Sequence, residues 1–179
     1  MTGVPPGSTM PSGMDILRRS FGIAVVLALM AIDPATAHDH KPPGAALRSG
    51  RAEQEGIRVT SCWIKGKELG GAAFCEQQEV AFPEPVDSRA TASIAFDTAR
   101  EPSRVRVRAW RRLKPSGKPR RPSHRLEVAL EESKGRWEAA IDLPPRAGTW
   151  YLQAKGVWPD ARFPDSKQFA LWTFAVRTG

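Results

Sequence analysis

The chain reads as an all-β protein, an antiparallel β-sandwich of about seven strands over residues 56–179, preceded by an export signal and a flexible arm. Three observations predict this. Beyond residue 37 no apolar repeat with the 3.6-residue period of a helix is sustained. Short runs alternate apolar and polar residues instead, the two-residue period of strands with one buried face. Breaks rich in glycine and proline separate these runs at short, regular spacing, as sandwiches and barrels require. At 179 residues in all, the chain suits one domain with an adequate core.

Residues 1–37 have the three parts of a secretory signal. Arg18 and Arg19 form the charged start, Phe21 to Ile32 the apolar run, and Ala35-Thr36-Ala37 the small-residue cleavage site. The run is shorter than the about 20 residues of a bilayer-spanning helix, and Asp33 and Pro34 stop it. Met14 is an alternative start, and Arg18-Arg19-Ser20-Phe21 leaves the general and the twin-arginine export routes both open. The first cysteine after the run is Cys62, too distant for lipid attachment at the cleavage region. Cleavage near Ala37 makes the protein secreted, or periplasmic and envelope-associated. Asp15 and Asp33 offset the two signal arginines, so the net charge of +8 stays with the remainder.

Residues 38–55, rich in Pro, Gly and charge with no period, read as the flexible arm. From Ile57 the strand pattern begins, with Ile57, Val59, Ser61 and Trp63 on one side and Arg58, Thr60 and Cys62 on the other. Gly66, Gly70 and Gly71 suit a turn into a short returning strand at Ala72 to Cys75. Phe82-Pro83-Glu84-Pro85 is a linker, because proline removes ladder donors. Ala90 to Phe96 and Arg104 to Arg111 are two further strands. In the second, Arg104, Arg106 and Arg108 alternate with Val105, Val107 and Ala109, giving a cationic and an apolar face. Leu126, Val128 and Leu130 then pair across Ser133-Lys134-Gly135 with the strand holding Trp137, Ala139 and Ile141. Leu143 to Gly148 is a turn, followed by strands at Trp150 to Trp158 and Gln168 to Arg177.

Export to an oxidising compartment makes the only two cysteines, Cys62 and Cys75, natural disulfide partners. A loop of that size is worth about 3 kcal/mol when cross-linked, in the chain-entropy treatment.

The segment Asp142-Leu143-Pro144-Pro145-Arg146-Ala147-Gly148-Thr149-Trp150-Tyr151-Leu152 resembles the turn and penultimate strand of bacterial immunoglobulin-like modules. There an aromatic following Gly-x often forms a tyrosine corner; here Trp150 holds that place and Tyr151 follows it. More broadly, Thr60-Ser61-Cys62-Trp63, Cys75, Pro83, Val105 to Trp110, Gly148 to Tyr151 and Trp172 to Val176 are similar to a family of uncharacterised Bacillus-type extracellular lipoproteins. The likeness covers about residues 57–177. It implies the immunoglobulin-like fold, the disulfide and cell-surface placement, and carries no activity. The lipidated cysteine of that family is missing here.

Arg104 to Arg125 is the strongest electrostatic signal, a stretch without a single acid. Arg104, Arg106, Arg108, Arg111, Arg112, Lys114, Lys118, Arg120 and Arg121 are its candidate anion-binding residues. Prolines at 115, 119 and 122 are expected to hold the loop open, solvated and mobile. Such a strand and loop suits an anionic envelope polymer or lipid headgroups, where near-surface cations are each worth about 1 kcal/mol at an acidic membrane. A protein partner is the alternative occupant, and export disfavours nucleic acid. The bland reading of the same stretch is a solvated sheet face. The six tryptophans suit a core, or else a sugar-stacking platform whose best members are Trp110 and Trp158.

A nucleophile elbow, a zinc-protease helix and a glycine-rich phosphate loop are all missing from the sequence, so it reads as non-catalytic. No cofactor is implied except at the processed amino terminus. Cleavage after Ala37 would put His40 third, and with the free amine and two backbone amides it completes a square-planar set for Cu(II) or Ni(II), with His38 adjacent. A metal-binding protein using His38 and His40 is therefore the alternative function. An exported sandwich beginning with histidine is also similar to lytic polysaccharide monooxygenases and periplasmic copper-resistance carriers. It departs from the first in having only His124 as a second ligand, within the basic loop, and from the second in lacking a late Asp-x-His.

Overall fold

The longest pairing in the molecule runs without a break from Gly148↔Thr178 to Pro159↔Lys167. Trp150, Leu152, Ala154, Gly156 and Trp158 alternate strictly with less buried residues on one partner; the other buries Gln168, Ala170, Trp172, Phe174 and Val176, with Thr173 and Ala175 between them buried as well. The computed structural model describes residues 41–64, 73–160 and 167–179. Twelve strands lie among them: β1 (Ala45–Ser49), β2 (Ala52–Glu55), β3 (Ile57–Ile64), β4 (Ala73–Gln77), β5 (Val86–Ser88), β6 (Thr91–Phe96), β7 (Arg104–Trp110), β8 (His124–Leu126), β9 (Val128–Ser133), β10 (Arg136–Asp142), β11 (Gly148–Pro159) and β12 (Lys167–Thr178).

They form two sheets, a five-stranded one ordered β2-β1-β6-β10-β9 and a seven-stranded one ordered β4-β3-β12-β11-β7-β8, with β5 added beside β12. All pairings are antiparallel except β5 with β12, a short parallel contact at Val176↔Val86 to Thr178↔Ser88. The buried residues of the two sheets make one core. At its centre the rings of Trp63, Phe96, Trp158 and Trp172 meet edge-on or tilted, with centroids 5.5–6.0 Å apart. The indole N–H of Trp158 donates to Arg100 O at 3.1 Å, and that of Trp150 to Arg146 O at 2.9 Å. A sugar-stacking platform at Trp110 and Trp158 is ruled out, since they are 7% and 0% exposed: Trp158 faces the core, whereas Trp110 keeps the outward parity of Arg104, Arg106 and Arg108, stands opposite Tyr151 and is covered there.

The strands expected from alternation are present, and the differences have local causes. The arm expected over 38–55 carries two strands instead, β1 and β2, which form a hairpin through Gly50 at φ 59 and Arg51. β1 then adds to β6 and buries Leu47, Ala45 and Ser49. With β5 and β8 also present, the strand count exceeds the expected seven. The run around Leu126 is two strands, because the chain passes from the seven-stranded to the five-stranded sheet at Glu127 while Leu126, Val128 and Leu130 keep facing the core. The Lys134-Gly135 turn joining β9 and β10 has both residues at positive φ, 52 and 73, the handedness favoured by tight hairpins.

One polar side chain ties the sheets together. β3 covers the edge of β12 from Phe169 to Thr173, and β5 resumes at Val176, leaving the Ala175 N–H between them. Gln54 of β2 fills that gap: its Oε1 accepts from Ala175 N at 2.9 Å while its Nε2 donates to Glu84 O at 2.6 Å. Cys62 and Cys75 stand directly opposite each other in the β3–β4 register, 4.0 Å apart at Cα, and form the disulfide. Such a bond belongs to a protein of an oxidising compartment. Among the described residues no helix is long and apolar enough to cross a membrane.

Candidate functional site

The alternation of β7 places Val107 and Ala109 in the core and leaves Arg104, Arg106 and Arg108 exposed on the outer face of the seven-stranded sheet. Pairing brings further cations onto that face. Arg108 lies opposite Arg125 of β8, and Arg106 lies opposite Lys155 of β11. Like charges directly opposite across a ladder repel. Partial desolvation, and then the charges of Arg104, Arg125 and Arg108, hold the Arg106 guanidinium below the ordinary arginine range. Lys155 has a second contact, its ammonium resting 4.0 Å from the centroid of the Phe169 ring.

At the end of β7 the chain forms a small hairpin rather than the open, extended loop its prolines suggest. Lys114 N donates to Lys118 O at 2.7 Å, Gly117 N to Lys114 O at 2.9 Å and Arg120 N to Arg112 O at 2.9 Å, and Leu113 bridges Pro119. The physical reason is turn chemistry: Pro115 presets φ for the second position of the turn and Gly117 takes φ 72. Lys114 and Lys118 lie at its tip. Arg121-Pro122 is a cis peptide, after which His124 opens β8 opposite Ala109, so His124 stands at a fixed strand position and not in the loop.

This hairpin walls a cleft of about 500 Å³ lined by Arg111, Arg112, Arg120, Arg121, Pro122, His124, Arg146 and Thr149. The opposite wall is the turn before β11. Its carbonyls seat one guanidinium: Arg111 Nη1 donates to Ala147 O at 2.6 Å and Arg146 O at 3.3 Å, and its charged carbon sits 5.0 Å from the Trp150 ring centroid. Gly148, at φ 120, makes room, because a Cβ there would come within 3.0 Å of Arg111 Nη2. Arg146 O also accepts from the Trp150 indole and from Thr178 Oγ1, so Trp150 makes the backward hydrogen bond of an aromatic corner. The His124 ring meets Trp150 edge-on at 5.4 Å.

The other arginines of the cleft are uncommitted. Among the described residues the side chains of Arg112, Arg120, Arg121 and Arg146 make no hydrogen bond or ion pair, while the ion pairs present lie elsewhere, such as Arg48 with Glu138 and Arg136 with Asp97. A second, more open cleft of about 620 Å³ is lined by Arg108, Arg121, Pro122, Ser123 and Arg125. Arg121 and Pro122 belong to both, so the β7 ladder leads into the arginine cleft. Among the described residues no carboxylate lines either one. Guanidiniums bind carboxylate, sulfate and phosphate through paired N–H donors, so the chemistry offered is anion binding.

No family model matches the chain, and no curated protein or solved structure matches it. Of the residues expected from sequence, Arg111, Arg112, Arg120 and Arg121 share the cleft, Arg104, Arg106 and Arg108 the ladder, and Lys114 and Lys118 the hairpin tip. Arg146, His124 and Thr149 were missed as cleft residues, and Lys155 as a ladder residue. Only the strand order brings them there; Arg125 alone was legible, being out of phase with Leu126. The metal candidates His38 and His40, like the signal, lie outside the described residues. Among the described residues no three His, Cys, Asp or Glu side chains are grouped to hold a metal ion.

Proposed function

We propose that this protein is an exported, non-catalytic immunoglobulin-like module of the cell envelope that holds an anionic polymer or headgroup layer on a basic surface. The observation that carries the reading is the continuity of Arg104, Arg106, Arg108 and Arg125 with the arginine cleft through Arg121. Placing like charges in register opposes folding, and an anionic partner offsets that repulsion. The disulfide and the resemblance of residues 57–177 to extracellular lipoproteins support an envelope setting, and export disfavours nucleic acid as the occupant.

Each exposed cation contributes modestly and is screened over about 8–10 Å at ordinary salt, so binding is a sum over many contacts and is sensitive to ionic strength. The test is retention on isolated envelope fractions across a salt series, for the native protein and for the double variant Arg120→Glu, Arg121→Glu. Retention falling with salt and weakened by charge reversal supports the reading. Retention indifferent to both counts against it.

A further inference from the structure

We infer that the arginine cleft is a distinct subsite for a phosphomonoester group, separate in chemistry from the ladder that leads to it. Its lining brings together five arginines, Arg111, Arg112, Arg120, Arg121 and Arg146, with His124 and Thr149. A planar monocarboxylate offers two oxygens in one plane and a single charge, enough for one guanidinium fork. A phosphomonoester carries about −1.5 to −2 charges at neutral pH and three strong acceptor oxygens, which satisfy several forks arriving from different directions. The opposing walls supply those directions: Arg112 and Arg120 come from the hairpin after β7, Arg146 from the turn before β11.

The site is also prepared in advance. Arg111 is locked by the Ala147 and Arg146 carbonyls and by Trp150, so one positive charge is fixed at the wall before any ligand arrives. The Arg120 N to Arg112 O bond holds the hairpin that carries Arg112, Arg120 and Arg121. Arg146 uses its carbonyl for structure and leaves its guanidinium free of described partners. At about 500 Å³ the cleft holds the phosphoryl group together with the organic fragment that bears it.

The phosphomonoester has two candidate sources, the end of a polymer lying along the ladder or a free small molecule; only the first rests on the function proposed above. The experiment has two arms. In the first, glycerol 3-phosphate, glycerophosphoglycerol and acetate are titrated calorimetrically into the native protein, Arg146→Ala, Arg146→Lys and Arg106→Ala. The monoester binds at least about tenfold tighter than the diester or acetate; Arg146→Ala weakens it about tenfold or more, Arg146→Lys weakens it less, and Arg106→Ala leaves it within about twofold. Equal binding of acetate and glycerol 3-phosphate, or equal losses at Arg146 and Arg106, overturns the subsite. Because the Arg146 side chain makes no hydrogen bond or ion pair among the described residues, a thermal midpoint unchanged by Arg146→Ala separates lost binding from lost structure.

In the second arm, poly(glycerol phosphate) oligomers are compared before and after phosphatase removes their terminal monoester. Tighter binding of the untreated oligomer, erased by Arg146→Ala, assigns the cleft to polymer ends. Equal binding of both oligomers, with glycerol 3-phosphate still bound, assigns it to a free phosphomonoester. Oligomers that fail to bind while glycerol 3-phosphate binds overturn the polymer reading and leave the subsite standing.

Discussion

Replacing Gly156 by alanine is predicted to destabilise the protein by about 3 kcal/mol. Gly156 is an inward position of β11, and the Trp158 indole folds back over it, so that a Cβ would overlap Cη2 and lie 2.7 Å from Cζ3. The ring has nowhere to move. It is 0% exposed, it meets Trp63, Phe96 and Trp172 on its other sides, and its N–H is held by Arg100 O. Overpacking of a filled core costs about 1–3 kcal/mol, and losing the indole hydrogen bond adds about 1 kcal/mol. Urea unfolding followed by tryptophan fluorescence measures the change. Gly44→Ala is the control, since a Cβ there meets only Asp97 Cβ at 3.7 Å and should shift stability by under about 0.5 kcal/mol. A Gly156→Ala midpoint equal to that of Gly44→Ala would refute the packing described for the core.

Three other outcomes follow from the same structure. Gln54→Ala strands the buried Ala175 N–H between β3 and β5 and should lower unfolding stability by about 1–3 kcal/mol, with hydrogen exchange at Ala175 rising first. Arg106→Gln relieves repulsion from Arg104, Arg108 and Arg125, so its thermal midpoint at low salt should exceed the native one, the difference vanishing at high salt while polymer retention drops; a midpoint that falls at low salt contradicts the ladder. Cys62→Ser with Cys75→Ser opens the link between β3 and β4 and should cost about 3 kcal/mol, read from unfolding of oxidised native protein beside the double variant.

Much of the fold was legible because large apolar residues mark one side of each long strand: Val59 and Trp63, Ile94 and Phe96, Leu152 and Trp158, Trp172 and Phe174. The strands that escaped lack that mark. β1 buries Ala45 and Ser49 beside a single Leu47, and β5 has only Val86. The site was half legible for a different reason. A run of cations shows in sequence whatever the fold, so Arg104 to Arg121 stood out. Arg146 is one basic residue in a proline-rich turn, and it reaches the cleft only because β11 pairs with β7 in a register that puts Tyr151 against Trp110. The hairpin after β7 was misjudged because its three prolines suggest extension, whereas Pro115 and Gly117 occupy turn positions that close the chain on itself.

The anionic surface reading stands or falls on how affinity depends on salt. Retention of the native protein on a purified envelope polyanion should fall steeply as ionic strength rises, and the triple variant Arg104→Gln, Arg106→Gln, Arg108→Gln should show both weaker retention and a shallower fall, because fewer cations contact the polymer. An unchanged salt dependence in that variant, with its fold intact, would contradict the account.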